Sequence, residues 1–212
     1  FKQKTAYEIK ECDWSSDVCS SDLAARYVDW SATDAVIADT IADLLEPGDE
    51  SVRQAVIRRG WPTLQKLRGK VFFCLDNEGG WVQRCLAAQT DPQQAPLFVS
   101  AAPDHPLAAW FKRNDPVGQF AEIQSLVKQG FLIRTRADAD TTQARTNDTT
   151  RREQAFASGA QYISTDFPEP QPQFSDYCVH WPDHAPARLS PLFSSTVTLP
   201  AAPQWEPAVA KP

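Results

Sequence analysis

FLIRTRADADTTQARTNDTTRREQAFASGAQYISTDFP, residues 131–168, holds two short apolar runs with a helical segment between them. FLIRTR (131–136) alternates, which predicts a strand with Arg134 and Arg136 on one face and Ile133 and Thr135 on the other. RREQAFAS (151–158) predicts a helix, closed by Gly159. AQYISTD (160–166) predicts a second strand, ending at Asp166. A strand, a helix and a strand in that order make a parallel unit.

The same alternation extends upstream. A helix is expected over 32–45, opened by a capping-box pattern at Ser31 and Asp34 and closed by Pro47 and Gly48. Val36, Ile37, Ile41, Leu44 and Leu45 form its apolar face. A second helix is expected over 50–59, with Val52, Ala55 and Val56 inward and Gly60 as its cap. KVFFCLDN (70–77) has the apolar run of a strand buried on both faces, as in a parallel sheet. PLFVS (96–100) reads as a short strand. Residues 116–128 read as a helix with Phe120, Ile123, Leu126 and Val127 on one side, capped by Gly130. The class is therefore α/β, a parallel sheet covered by helices. Four such strands fit half of a (β/α)8 barrel or part of a doubly wound sheet. Neither G-x-G-x-x-G nor G-x-x-x-x-G-K-[ST] occurs, which weakens the nucleotide-binding version.

Composition narrows the function classes. A net charge of −6 argues against a nucleic-acid binder, which normally carries a basic patch. No run of about 18 apolar residues is present to span a bilayer. Residues 1–11 contain no apolar stretch of the signal-peptide kind, and the chain has no methionine. Ten of the 17 prolines fall in the last 45 residues, so an extended, frayed tail is expected there, with YCVHW (177–181) the one segment able to form a strand. The cysteines match no zinc spacing. Cys74 reads as an inert buried thiol, and Cys85 with Cys178 is a candidate disulfide for an oxidising compartment.

The beginning of the chain is of a different kind. KQKTAYEI (2–9) and DWSSDVCSSDL (13–23) are what the two constant arms of a short-read sequencing adapter give when translated in one frame. Residues 1–23 are accordingly expected to be non-native and to pack on nothing, and Cys12, Trp14 and Cys19 carry no functional argument. The expected organisation is 1–23 adapter, 24–191 barrel portion and 192–212 proline-rich tail.

RGWPTLQKLRGKVFFCLDN (59–77), FKRNDP (111–116), the 131–168 stretch and APARLSP (185–191) together resemble the bacterial calcium-dependent, phosphatidylinositol-specific phospholipase C family. ASGAQYISTDFP alone also looks like the last strand of glycerophosphodiester phosphodiesterases. The resemblance implies the C-terminal half of a TIM barrel, incomplete and open. It implies a parent that cleaves phosphatidylinositol with two histidines as general base and acid and with Ca2+. The first strands, which carry those histidines in the family, are not matched, so the chain by itself is expected to be inactive. A phosphoinositide lipid or a glycerophosphodiester is the implied substrate, with peripheral membrane contact, a monomeric parent and a secreted or periplasmic location. Two other readings are a glycerophosphodiesterase-like hydrolase and a non-catalytic barrel that only binds.

Four residues are the candidates for chemistry. Asp76 ends the 70–77 strand, where a barrel places functional groups, and a hard carboxylate suits Ca2+; the alternative is a solvated strand-end cap. It should share a face with Cys74. Arg134 and Arg136 are candidate phosphate contacts, because a guanidinium fork donates two parallel bonds to a phosphodiester. Arg134 is the stronger, since it lies within the strand; the alternative is an ion pair with Asp138, Asp140 or Asp166. Asp166 is a candidate to orient such an arginine, or else a turn cap. His105, His180 and His184 do not match the family's catalytic histidines. Trp61, Trp81 and Trp110 are a candidate interfacial set, although Trp61, inside GWPTL, suits a core.

Overall fold

A computed structural model of the 212-residue chain describes residues 44–63, 73–89, 97–181 and 188–193. The adapter-like segment and most of the expected 32–45 helix lie outside them; of that helix Leu44 is described, helical and buried. The chain divides into two compact units, residues 1–111 and 112–212.

In the first unit, helix α1 is Val52–Arg59. Ser51, in extended conformation, caps it by accepting from the Gln54 amide at 3.1 Å. Val52, Ala55 and Val56 are buried, as the spacing predicts. The chain leaves through Gly60 at φ 76°, a backbone that L side chains rarely adopt, and its N–H closes on the Val56 carbonyl at 2.8 Å. Strand β1 (Cys74–Leu75), helix α2 (Gly80–Ala88) and strand β2 (Phe98–Val99) follow. β1 and β2 pair in parallel, Cys74 opposite Phe98 and Leu75 opposite Val99. Trp61 packs against Phe98 with ring centroids 5.5 Å apart. Of the proposed interfacial tryptophans, Trp110 is buried, and only Trp81 is well exposed, so the three do not form a surface set.

β3 (Trp110–Lys112) ends at the start of the second unit, and helix α3 (Phe120–Lys128) follows. Next come β4 (Leu132–Arg136), α4 (Thr142–Thr146), α5 (Thr150–Ser158) and β5 (Tyr162–Ser164). The sheet order is β3-β4-β5. β4 and β5 run parallel, with Arg134 opposite Tyr162 and Arg136 opposite Ser164. Ile123, Leu126 and Val127 of α3 are buried, with Ala155 and Phe156 of α5 and Ile133 of β4. α3 packs on both α5 and β4. Gly159 ends α5 at φ 81°. A Cβ there would sit 2.8 Å from Leu192 Cδ1, so glycine meets both the left-handed turn and the close approach.

The tail corrects one expectation. YCVHW forms no strand; its Tyr177 instead enters a cluster with Ala144 and Phe167, against which Phe174 and Val179 pack. Its hydroxyl donates to the Ala137 carbonyl at 3.1 Å, and burial raises the phenol above its usual value. The strand-like composition is used for burial rather than for pairing. Cys74, Cys85 and Cys178 are free thiols in the structure, with Cys85 in the first unit and Cys178 in the second. Burial, and then the charge of Asp76, push the Cys74 thiol up to about 12, which suits the inert role expected of it.

Candidate anion site at the ends of β4 and β5

The alternation along β4 produces the site. Ile133 and Thr135 are fully buried, whereas Leu132, Arg134 and Arg136 on the other face are half-buried. The two arginines therefore share a face, but they have different partners. Arg136 Nη2 meets Asp166 Oδ2 at 3.2 Å. Arg134 Nη1 donates to Asn114 Oδ1 at 2.5 Å, two residues beyond β3. Arg134 also lines a cavity of about 450 Å³ along β5, with Tyr162, Ser164, Thr165, His180 and Trp181 among the other walls.

Asp166 is held from behind. Asp138, just past β4, is fully buried. Its carboxylate accepts from the Thr165 hydroxyl and, at 3.0 Å, from the Asp166 amide. Desolvation raises its pKa; the two hydrogen bonds oppose that shift, the charge of Asp166 adds to it, and Arg136 opposes it again. Ser164 donates its hydroxyl to the Thr135 carbonyl at 3.2 Å, and the Ala137 amide reaches the Ser164 carbonyl at 2.9 Å. The ends of the two strands are thus tied by side chains as well as by the ladder. Chemically, this end of the sheet can present a guanidinium to an anion in the cavity. The second guanidinium is already committed in part to a carboxylate.

The remaining sequence candidates stand as follows. Asp76 lies half-buried one residue past β1, in the first unit. Its charge adds to the burial that raises the Cys74 thiol. His105 is in a loop, its Nδ1 accepting the Leu107 amide at 3.1 Å. His180 is exposed, with Nδ1 3.0 Å from the Trp181 carbonyl, and it lines the cavity with Arg134. His184 lies outside the described residues. Sequence reasoning did not single out Asn114, nor the role of Asp138 behind Asp166. Asn114 sits in the FKRNDP motif, which was the one available signal.

Ca2+ normally takes six to eight oxygen ligands. Among the described residues no group of three His, Cys, Asp or Glu side chains is placed to hold a metal ion. Asp76 would give one ligand, and Asp138 is occupied by its two donors. The described residues therefore do not by themselves form a calcium cage.

The described residues form small parallel sheets with helices packed on them, a partial α/β domain. The family model for Ca2+-dependent phosphoinositide phospholipase C matches residues 25–191. The chain belongs to that family, a Ca2+-dependent phospholipase family acting on phosphoinositides. Among curated proteins and among solved structures nothing matches.

Proposed function

We propose that this chain supplies the phosphate-contacting side of a phosphatidylinositol-cleaving barrel, and that Arg134 is the residue that meets the phosphodiester. The carrying observation is that Arg134 lines the cavity along β5 while a neutral amide oxygen holds one end of its guanidinium. Arg136 and Asp166, paired to each other, support the same surface. The strands described here would form the C-terminal half of an open TIM barrel in this reading. Asp76 would be one ligand of a calcium set completed elsewhere. The adapter reading of residues 1–23 and a secreted parent belong to the same proposal.

Proton transfer in this chemistry needs a base for the inositol 2-hydroxyl and an acid for the leaving oxygen. His105 spends its Nδ1 lone pair on a loop amide, and His180 is an exposed tail residue. Neither lies on a strand, where a barrel enzyme fixes such groups. The chain alone is therefore expected to bind without turning over. The test is release of soluble inositol phosphate, measured for the 212-residue chain and for the intact enzyme with Arg134→Lys. The chain should show no release. The lysine variant should lose at least about tenfold in kcat/KM, because a point charge cannot reproduce the bidentate fork. Turnover by the chain itself overturns the division of labour, and an unchanged Arg134→Lys enzyme overturns the role of Arg134.

A further inference from the structure

Arg134 is itself positioned by a second tier. Asn114, which accepts from Arg134 Nη1, lies in a segment clamped by another arginine. Arg151, in the first turn of α5, donates through Nη2 to the Asn114 main-chain carbonyl and through Nη1 to Asp115 Oδ1 at 3.3 Å. Its side chain is only 19% exposed, and its buried Nε has no hydrogen-bond partner among the described residues. An arginine placed this way is a fixed strut and not a surface charge looking for an anion. The segment it grips is tied internally as well. Asp115 Oδ1 accepts the Val117 amide at 3.3 Å, and the Asp115 amide donates to Gln119 Oε1 at 3.2 Å. A Cβ on Gly118 would lie 2.4 Å from Asp115 Oδ2, so the turn closes tightly on that carboxylate.

The chemistry of the link is specific. An amide oxygen orients a guanidinium without adding a negative charge at that contact. A carboxylate in the same place would add a negative charge at that contact. We infer that Asn114 and Arg151 are positioning residues for anion binding: Arg151 holds the Asn114 backbone, and the Asn114 side chain aims Arg134 at the cavity. This rests on the reading of Arg134 as the phosphate contact.

The experiment is an NMR titration of the 212-residue chain with inorganic phosphate, with a thermal melt of every variant. Arg134→Ala should weaken phosphate binding well beyond tenfold, to a level still measurable at high phosphate concentration. Asn114→Ala should weaken binding about tenfold, the scale of one hydrogen bond to a charged group, with the melt unchanged. Arg151→Lys, which keeps the charge but loses the fork, should weaken it less. In the Arg134→Ala background, Asn114→Ala should change nothing further, an outcome that a merely structural residue would not give. If wild type and Arg134→Ala respond alike, the phosphate reading and this inference fall together. If Arg134→Ala loses binding while Asn114→Ala and Arg151→Lys bind as wild type, only the positioning role is overturned. Independent, additive losses from Asn114→Ala and Arg134→Ala overturn it too.

Discussion

Asp49 in the first unit and Asp138 in the second are both shielded from solvent, and their environments push them in opposite directions. Asp49 meets Arg58 Nη2 at 2.6 Å, is gripped by Arg59, and accepts the Glu46 amide at 2.8 Å. The hydrogen bond from Arg59, then the Glu46 amide, hold its carboxyl well below the usual carboxylate range. Asp138 has a hydroxyl and an amide as donors, with Arg136 a weaker and more distant influence. Desolvation wins there and raises its pKa. Shielding alone therefore does not set the sign; the charge of the donor does. The first carboxylate is a latch that ties α1 to the preceding loop. The second orients the end of β5 and stays responsive to pH.

The contrast breaks most visibly at Asp138. Asp138→Ala orphans the Thr165 hydroxyl and the Asp166 amide. At about 1–3 kcal/mol for an orphaned buried donor, it should cost several times more stability than Asp138→Asn, which keeps an acceptor. Urea denaturation of the two variants measures the difference; equal costs would mean the hydrogen bonds are not what Asp138 contributes.

A pH series sharpens the same comparison. The Asp49 pKa is lowered by folding, so its stabilisation is present above the unfolded carboxylate value of about 3.9 and is lost as pH falls through the folded value. The Asp138 pKa is raised by folding, so its contribution is present below about 3.9 and is lost as pH rises through the folded value. The melting-temperature gap between wild type and Asp49→Asn should therefore widen from acid toward pH 5. The gap between wild type and Asp138→Asn should narrow as pH rises above 4. Parallel slopes in the two series would refute the opposed shifts.

The smallest effect is expected at Arg136. Its pair with Asp166 is partly open to water on both sides, with side chains 29% and 43% exposed. Arg136→Gln should change stability by less than about 1 kcal/mol, as solvent-screened pairs do. Differential scanning calorimetry checks this, and a loss as large as that of Asp138→Ala would place the pair inside the buried network.

Regular elements with a strong period were legible in the residues. α1 carries its cap at Ser51 and Gly60, α3 lies within the expected range, and α5 begins one residue before the expected 151–158. β2, β4 and β5 fall inside the runs read as strands. β1 was drawn too long: the strand at 70–77 is described as Cys74–Leu75, with residues 70–72 outside the described set. Three elements were not anticipated. β3 has three residues, too few to show alternation, and its partner β4 defines it. α4 has five residues, little more than one turn. α2 opens on Gly80 without a capping side chain and buries none of its residues, so no apolar stripe announces it.

The candidate site divides the same way. Alternation alone puts Arg134 and Arg136 on one face, because successive strand side chains point to opposite sides. It also puts Asp166 at the end of the neighbouring strand, and the 131–168 motif points to the phospholipase family. Only the tertiary structure decided which of them meets Asp166 and which meets Asn114. Register sets Arg136 opposite Ser164, two residues short of Asp166, whereas Arg134 lies two pairs further back, opposite Tyr162, and reaches across to Asn114 after β3. Those partners are 30 and 20 residues away in sequence, and no local pattern encodes which long-range neighbour a side chain will find. The periodic burial of β4 follows from its own residues; the electrostatic identity of each arginine follows from the strands that flank it.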